Sequence, residues 1–185
     1  MKRILEYIPK TEKEKRDKEL MVVLLQDYPE QILYRSLLFA HLSASAMIFN
    51  PTRDKVLMIY HNIYHNWTMT GGHMDGVSDL LEVALKEAKE ETGIQTLKLL
   101  AEDILSIEVL PVNGHYKNRE YVPAHLHLNA TFGFEANEEE PLRICAGENS
   151  GVAWLPITEL NQYSNEFMML EVFQKCIERV QKEQL

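Results

Sequence analysis

Cysteine, long apolar runs and positive charge are all scarce in this sequence of 185 residues. Cys145 and Cys176 are its two cysteines, and they form no CxxC motif and have no histidine at a zinc-finger interval, which excludes a disulfide framework and a cysteine-based zinc site. The longest apolar runs, such as 20–25, hold about six residues, against the ~20 that a membrane-spanning helix needs. Lys and Arg number 19 against 28 Asp and Glu, and the resulting net charge of -9 disfavours nucleic acid and anionic membranes as partners.

The composition favours one compact domain with extensions. With 45% hydrophobic residues the chain can bury one sizeable core, but it is too short for two ordinary domains. We expect a helical extension over 1–40, a central domain over 41–162 and a C-terminal helix over 163–185 that packs on it. Residues 1–5 resemble the start of a signal peptide, but Glu6 and Pro9 interrupt the apolar stretch, so we expect a cytoplasmic protein.

Local patterns predict strands mixed with three helices. Thr11 and Glu14 form a capping box that starts a helix over 11–26, and Pro29 makes the segment up to residue 39 irregular or briefly helical. The runs 42–49 and 55–60 predict a hairpin, 104–112 and 121–134 a second strand pair, and 152–155 a short strand. Asn165 is expected to cap a last helix whose apolar stripe is Phe167, Leu170, Phe173, Ile177 and Val180. These elements predict a layered α/β domain.

A glycine-rich loop followed by an acidic helix carries the strongest chemical signal. The loop 71–78 leads to Asp79, a good N-cap, and the helix over 80–92 is closed by Gly93, which suits a left-handed turn. Glu87, Glu90 and Glu91 lie along one edge of this helix beside its apolar stripe. Three carboxylates on one edge repel each other, and two of them stand at the negative end of the helix dipole.

Two interpretations of this edge are open. A divalent cation would convert the repulsion into coordination, and hard oxygen ligands favour Mg²⁺, or Mn²⁺, over zinc. Alternatively, the edge is a solvated helix face on which Lys86 pairs with Glu82 and Glu90 at helical spacing.

The same segment resembles the signature of the Nudix hydrolase family. Counted from Gly72, the signature positions are occupied by Ser78, Lys86, Glu87, Ala88, Glu90, Glu91, Gly93 and Ile94. Trp67 and the segment 152–156 resemble the strands that flank the signature, so the resemblance covers about residues 40–162. It implies an α/β/α sandwich with a mixed sheet and terminal helices, and the Mg²⁺-dependent hydrolysis of a nucleoside diphosphate linked to another group.

The resemblance also implies roles for single residues. Mg²⁺ would be held by Glu87, Glu90 and Glu91 with the backbone carbonyl of Gly72, and one of these glutamates or Glu148 would be the general base. Lys86 and Gly93 would support the site. Two positions depart from the signature, because Ser78 replaces its first glutamate and Lys86 replaces its arginine and lacks the planar guanidinium. They motivate an alternative, a catalytically weak nucleotide-binding module with a regulatory role.

Aromatic and histidine residues supply the remaining candidates. Tyr64 and Trp67 could stack on a nucleobase, and His125 and His127 project from one face of a strand, where they either bind metal or phosphate or simply form a polar face. His41 and His73 resemble metal-binding histidines of isopentenyl-diphosphate isomerases, but Gly71 stands where that enzyme needs a catalytic cysteine. We therefore expect His41 and His73 to be hydrogen-bonded structural residues. The expected partner is a small diphosphate, and the sequence leaves monomer and homodimer open.

Overall fold

The chain combines helices with strands, as the patterns predict. The computed structural model describes residues 1–117 and 119–182, with side chains throughout this part except at Lys117. Its α-helices are α1 (Lys2–Glu6), α2 (Glu12–Asp27), α3 (Leu80–Thr92), α4 (Leu160–Tyr163) and α5 (Phe167–Lys182). Its strands are β1 (Ala40–Phe49), β2 (Lys55–His61), β3 (Asn66–Thr68), β4 (Thr70–His73), β5 (Lys98–Leu99), β6 (Ser106–Val112), β7 (His115–Lys117), β8 (Glu120–Val122), β9 (His125–Glu135) and β10 (Asn149–Pro156).

The central sheet is mixed, as the resemblance implies. Its main order is β10-β2-β1-β9-β5, with β3 beside β2, β4 beside β1 and β6 beside β9. Strands β1 and β9 run parallel over the full length of β1, while the other pairs in this sheet are antiparallel. The predicted hairpin of β1 and β2 is confirmed, but the register covers only Ile48↔Leu57 and Phe49↔Val56. From residue 43 to residue 46 the neighbour of β1 is β4 instead.

Helices cover both faces of this sheet. On one face Ala44, Ala46 and Ile48 of β1 share a core with α3 and the N-terminal helices. On the other, Met47 and Phe49 share a core with α5. Successive side chains of β1 thus point to opposite faces of the sheet. Because helices pack on both faces, the fold is an α/β/α sandwich.

Several expectations about single elements are corrected. Helix α1 was not predicted from the sequence. Strand β9 begins at residue 125 rather than 121, because the residues before it form β7 and β8, which pair with each other as a separate two-stranded sheet. Phe167 was predicted to belong to the buried stripe of the last helix, but it is 72% exposed because it stands at the first turn of α5, ahead of the buried run that starts at Val172. The predicted N-cap of α2 is confirmed, since Thr11 Oγ1 accepts the Glu14 N–H at 3.1 Å.

A buried ion pair joins the first and last long helices. The guanidinium of Arg179 donates to both carboxylate oxygens of Glu14, at 2.7 and 2.9 Å, and to the Leu105 carbonyl at 2.7 Å. Lys175 lies 3.1 Å from the same carboxylate, whose side chain is fully buried. Burial raises the pKa of Glu14, but Arg179, the Lys10 N–H and Lys175 together outweigh it and lower the pKa to about 2.

Replacing Arg179 with Met is expected to lower the free energy of unfolding by about 3–5 kcal/mol, because Glu14 would stay buried without its main partner. Because the folded pKa of Glu14 is depressed, the stability that its ionised form contributes is complete above pH 4.5 and is lost as the pH falls towards about 2. Urea unfolding at several pH values measures both effects. Arg16→Met, on the exposed face of α2, is the matched control and should leave the free energy of unfolding nearly unchanged. Equal effects of the two substitutions would contradict the prediction.

No helix in the described ranges is both long enough and apolar enough to span a membrane.

Candidate active site

Strand β4 brings the glycine loop into contact with the acidic helix. The Gly71 N–H donates a hydrogen bond to Oε2 of Glu91 at 3.0 Å. A Cβ atom placed on Gly72 would lie 2.4 Å from Cδ of Glu87, so the Glu87 carboxyl group occupies the space that a side chain would need. Gly72 is therefore required by the close approach of α3 to β4, whereas Gly71 is required by β1, because a Cβ atom placed on it would lie 2.5 Å from Oγ of Ser45.

Helix α3 has the ends that the sequence predicts. Asp79 caps it by accepting the Leu81 N–H at 2.9 Å. Gly93 ends it in the left-handed conformation, with φ of 83°, and donates its N–H to the Lys89 carbonyl at 3.0 Å. With both ends fixed, the helix holds its acidic edge against β4.

Three carboxyl groups converge at this contact. Glu91 is 1% exposed, the Glu87 side chain is 13% exposed, and Glu148, in the loop before β10, is hydrogen-bonded to Glu91. Burial above all, and then the charges of Glu148 and Glu87, raise the pKa of Glu91 to about 9, although the Gly71 N–H opposes the shift. Burial also raises the pKa of Glu87, against the lowering effect of Lys86.

Lys86 and Glu90 form the exposed margin of this cluster. The Lys86 ammonium lies 3.1 Å from Oε1 of Glu87 and 3.1 Å from Oε2 of Glu90. The side chains of Lys86 and Glu90 are each more than half exposed, so solvent screens their pairing. Glu90 therefore stands at the solvent-exposed end of the acidic edge, whereas Glu87 and Glu91 face the protein.

The donor set suits a hard divalent cation. The converging groups are carboxylate oxygens, which are the ligands that Mg²⁺ prefers. Glu91 and Glu87 have raised pKa values because positive charge near them is insufficient to balance their burial and mutual repulsion. A cation at this point would supply that charge, so the residues present fit the metal that the acidic edge predicts.

A cleft of about 660 Å³ opens on the other side of β4. Its polar floor is a hydrogen-bonded row in which Ser43 Oγ and Ser45 Oγ donate to Asn129 Oδ1 at 3.1 and 2.9 Å. A smaller cavity of about 270 Å³ adjoins it and shares part of its wall, including His73 and His127. The cleft is large enough for a nucleotide-sized molecule.

Histidines from three strands gather in this shared wall. His41 on β1, His73 on β4 and His127 on β9 present ring nitrogens that all lie within 4.8 Å of one another. His125 Nε2 lies 3.2 Å from His127 Nε2. His41 is hydrogen-bonded at Nδ1, to the Leu37 carbonyl at 3.4 Å, but its Nε2 is buried without a partner in the described part of the chain.

The other candidate residues differ in whether they line the two cavities. Tyr64 lines both cavities and stacks on His61 with 4.5 Å between ring centroids. Trp67 does not line either of them and packs instead edge-on against Tyr60. Arg35, which the sequence analysis did not single out, donates two hydrogen bonds to Asp75 at the edge of the smaller cavity. No local sequence signal marks this pair, since the two residues lie far apart in the chain.

Solved structures with the same fold include hydrolases of nucleotide-like compounds. A C. elegans Ap4A hydrolase in a binary complex superposes with a TM-score of 0.58 at 18% identity, over 76% of this chain and 98% of that chain. The E. coli dihydroneopterin triphosphate pyrophosphohydrolase superposes with a TM-score of 0.57 at 16% identity, over 74% and 94%. At such identities the likeness establishes the fold alone.

Sequence comparison adds a curated relative and a family. The asymmetrical bis(5'-nucleosyl)-tetraphosphatase of Rattus norvegicus is 39% identical over 51 residues, which are 28% of this chain and 35% of the rat protein, so the match spans about a third of that relative. The model of the NUDIX domain matches residues 40–176, most of the chain. The glycines of β4 and the acidic edge of α3 lie within that range, and the chain belongs to the NUDIX family.

Proposed function

We propose that this protein is a Mg²⁺-dependent hydrolase that cleaves a diphosphate linkage in a nucleotide or a nucleotide-like small molecule. The observation that carries the proposal is the contact of Glu87 and Glu91 with the glycines of β4, Gly72 and Gly71, where the exposed Glu148 approaches Glu91. Glu87 and Glu91 are largely buried and have raised pKa values, and carboxyl groups of this kind next to a cleft are typical of catalytic sites.

Each residue has a proposed task. Glu87, Glu90 and Glu91, with the Gly72 carbonyl, would hold Mg²⁺, which polarises phosphoryl oxygens and lowers the pKa of bound water. Glu148 would accept a proton from the attacking water, because it reaches Glu91 from a separate loop and is not part of the helix edge. Lys86 would orient Glu87 and Glu90 by contacting both. Gly93 would fix the end of the helix that carries them.

Within this class we favour a dinucleoside polyphosphate as substrate. The rat and C. elegans proteins are named for hydrolysis of such compounds. The cleft has room for a nucleotide, and the exposed face of Tyr64, stacked on His61, offers a surface for a nucleobase. His125 and His127 stand in the cavity walls beside it.

A panel of substrates tests the proposal. The purified chain with Mg²⁺ is incubated with dinucleoside polyphosphates, nucleoside triphosphates, nucleotide sugars and ADP-ribose, and the products are separated by chromatography. We expect metal-dependent cleavage with the highest kcat/KM for a dinucleoside polyphosphate, and no cleavage in EDTA. If a triphosphate is preferred, the substrate assignment is wrong but the reaction class stands.

A second candidate function is that of a catalytically weak nucleotide-binding module with a regulatory role. It is favoured by Ser78 and Lys86, which stand where the family signature has glutamate and arginine. Lysine replaces the planar guanidinium of the family signature, so Glu87 is held less rigidly. Tight nucleotide binding by calorimetry without turnover on any member of the panel would support this candidate and reject the hydrolase. Double-bond migration without phosphate release would instead indicate isomerase chemistry.

A further inference from the structure

Strand pairing places three histidines of the cleft wall on the same face of the sheet. His41 pairs with His127 between the parallel strands β1 and β9, and Ser43, two residues along β1, pairs with His73 of β4. His73 Nε2 lies 3.0 Å from His127 Nε2, and the three candidate ligand atoms lie within 4.8 Å of one another. The acidic cluster does not share these atoms, since it contacts β4 at Gly71 and Gly72.

In His41 and His125, a hydrogen bond at Nδ1 leaves the lone pair on Nε2, the nitrogen that is directed into the histidine cluster. Nδ1 of His41 lies 3.4 Å from the Leu37 carbonyl, and Nδ1 of His125 lies 2.8 Å from the Pro123 carbonyl. A carbonyl can only accept, so Nδ1 carries the proton in both rings and Nε2 is left with a lone pair. His41 Nε2 is buried and has no hydrogen-bond partner among the described residues, a costly state for a polar atom. Second-sphere bonds from Nδ1 to carbonyls are typical of histidines that bind metal through Nε2.

The hydrogen bonds also argue against an anion as the ligand. With Nδ1 bonded to a carbonyl, His41 and His125 turn lone pairs rather than N–H donors towards the cluster. An anion such as phosphate is held by donors, whereas the lone pair of an imidazole is the group that coordinates transition metals.

From this geometry we propose that His41, His73 and His127 form a second metal site, distinct from the acidic cluster, that binds Zn²⁺ or a related divalent transition metal. Imidazole nitrogens favour Zn²⁺, Ni²⁺ or Cu²⁺, whereas Mg²⁺ requires oxygen ligands. Zn–N bonds of 2.0–2.1 Å in a tetrahedral site separate two ligand nitrogens by about 3.3 Å, close to the distance between His73 and His127. The ligand atom of His41 lies within 4.8 Å of the other two, so it has to approach by up to about 1.5 Å to complete the site.

The position of the cluster determines what such a metal would face. His73 and His127 line both cavities, and three protein ligands leave the fourth position of a tetrahedral metal open. An open position at this wall faces the cleft and can accept water or a ligand oxygen. His125 Nε2, which also carries a lone pair, lies 3.2 Å from that of His127, so a fourth imidazole stands next to the three proposed ligands.

Co²⁺, a spectroscopic substitute for Zn²⁺, tests the proposal without any activity measurement. The metal-free chain is titrated with Co²⁺ in the presence of excess Mg²⁺, and tetrahedral coordination appears as intense visible absorption bands. We expect one Co²⁺ per chain, displaced by Zn²⁺, and a rise in the unfolding temperature when Zn²⁺ is added. His41→Gln and His127→Gln should each lower Zn²⁺ affinity at least about 100-fold.

Two controls separate this site from others. His65→Asn removes an exposed histidine at a positive φ that asparagine tolerates, and it should leave the spectrum unchanged. Glu91→Gln disables the acidic cluster and should also leave the spectrum unchanged. Absence of Co²⁺ and Zn²⁺ uptake by the unsubstituted chain, or uptake that survives both His41→Gln and His127→Gln, would overturn the proposal. If His127→Gln fails to fold, His41→Gln and the thermal shift of the unsubstituted chain decide the result.

Discussion

Substitution of Glu91 by Gln is expected to lower Mg²⁺-dependent turnover by about 100- to 1000-fold without destabilising the metal-free protein. Turnover falls because an amide cannot replace a carboxylate as a ligand of Mg²⁺. Stability is maintained because the pKa of Glu91, raised by burial and by Glu148 to about 9, keeps the metal-free carboxyl group protonated near pH 7. Gln has nearly the same shape as the protonated acid, and its carbonyl oxygen can still accept the Gly71 N–H.

The same substitution alters how stability depends on pH. The unfolded carboxyl ionises near pH 4.5 and the folded one near pH 9, so the stability contributed by Glu91 is complete below pH 4.5 and is lost as the pH rises through about 9. Because glutamine does not ionise, Glu91→Gln abolishes this loss of stability at high pH. Without metal, the substituted protein should therefore be the more stable of the two at pH 8–9, and Mg²⁺ should stabilise only the original chain.

Steady-state kinetics and urea unfolding with and without Mg²⁺ measure these effects. Glu139→Gln is the matched control because Glu139 is an exposed glutamate of the acidic loop before residue 141, outside the cluster. It should leave turnover and stability unchanged. Turnover that persists in Glu91→Gln would contradict the assignment of Glu91, and loss of stability at pH 8 would contradict its raised pKa.

The acidic edge could be predicted from the sequence because the contacts that form it join residues close together in the chain. Glu87 and Glu91 stand one helical turn apart, and Asp79 and Gly93 fix the ends of α3 by contacts within a few residues. The resemblance to the family signature depends on the same short segment, and the match over residues 40–176 confirms it. The sandwich fold followed from this match together with the alternation of the strands.

The sequence marks the four histidines separately, but their meeting in one cluster could not be predicted from it. That meeting depends on the parallel pairing of β1 with β9 and on the antiparallel pairing of β1 with β4, which no pattern in either strand encodes. Glu148 was a candidate only through the family resemblance, and its contact with Glu91 joins residues more than fifty positions apart in the sequence. Trp67, which the sequence offers as a surface for a nucleobase, is paired with Tyr60 by the register of β2 and β3 and packs edge-on against it.

Substitution of Gly72 by Ala is expected to lower turnover by about 100-fold through Glu87 alone. The new methyl group would lie 2.4 Å from Cδ and 2.7 Å from Cγ of Glu87, closer than carbon atoms can approach. Since these atoms belong to the far end of a flexible side chain, the carboxyl group can swing away and β4 need not move. The substitution therefore displaces a proposed metal ligand, Glu87, rather than the backbone. A displacement of about 1 Å is enough to lower turnover about 100-fold.

Gly147→Ala is the matched control for this effect. Gly147 precedes Glu148 in the loop of the site, yet no heavy atom lies within 4 Å of the place where its Cβ would stand. The same glycine-to-alanine change should therefore leave kcat and KM unaltered there. In Gly72→Ala the Mg²⁺ concentration for half-maximal activity should rise while urea unfolding changes little, because the backbone stays in place. A protein that loses its stability together with its activity would show instead that Gly72 is needed for packing β4 on α3, and the proposed role of Glu87 would lose this support.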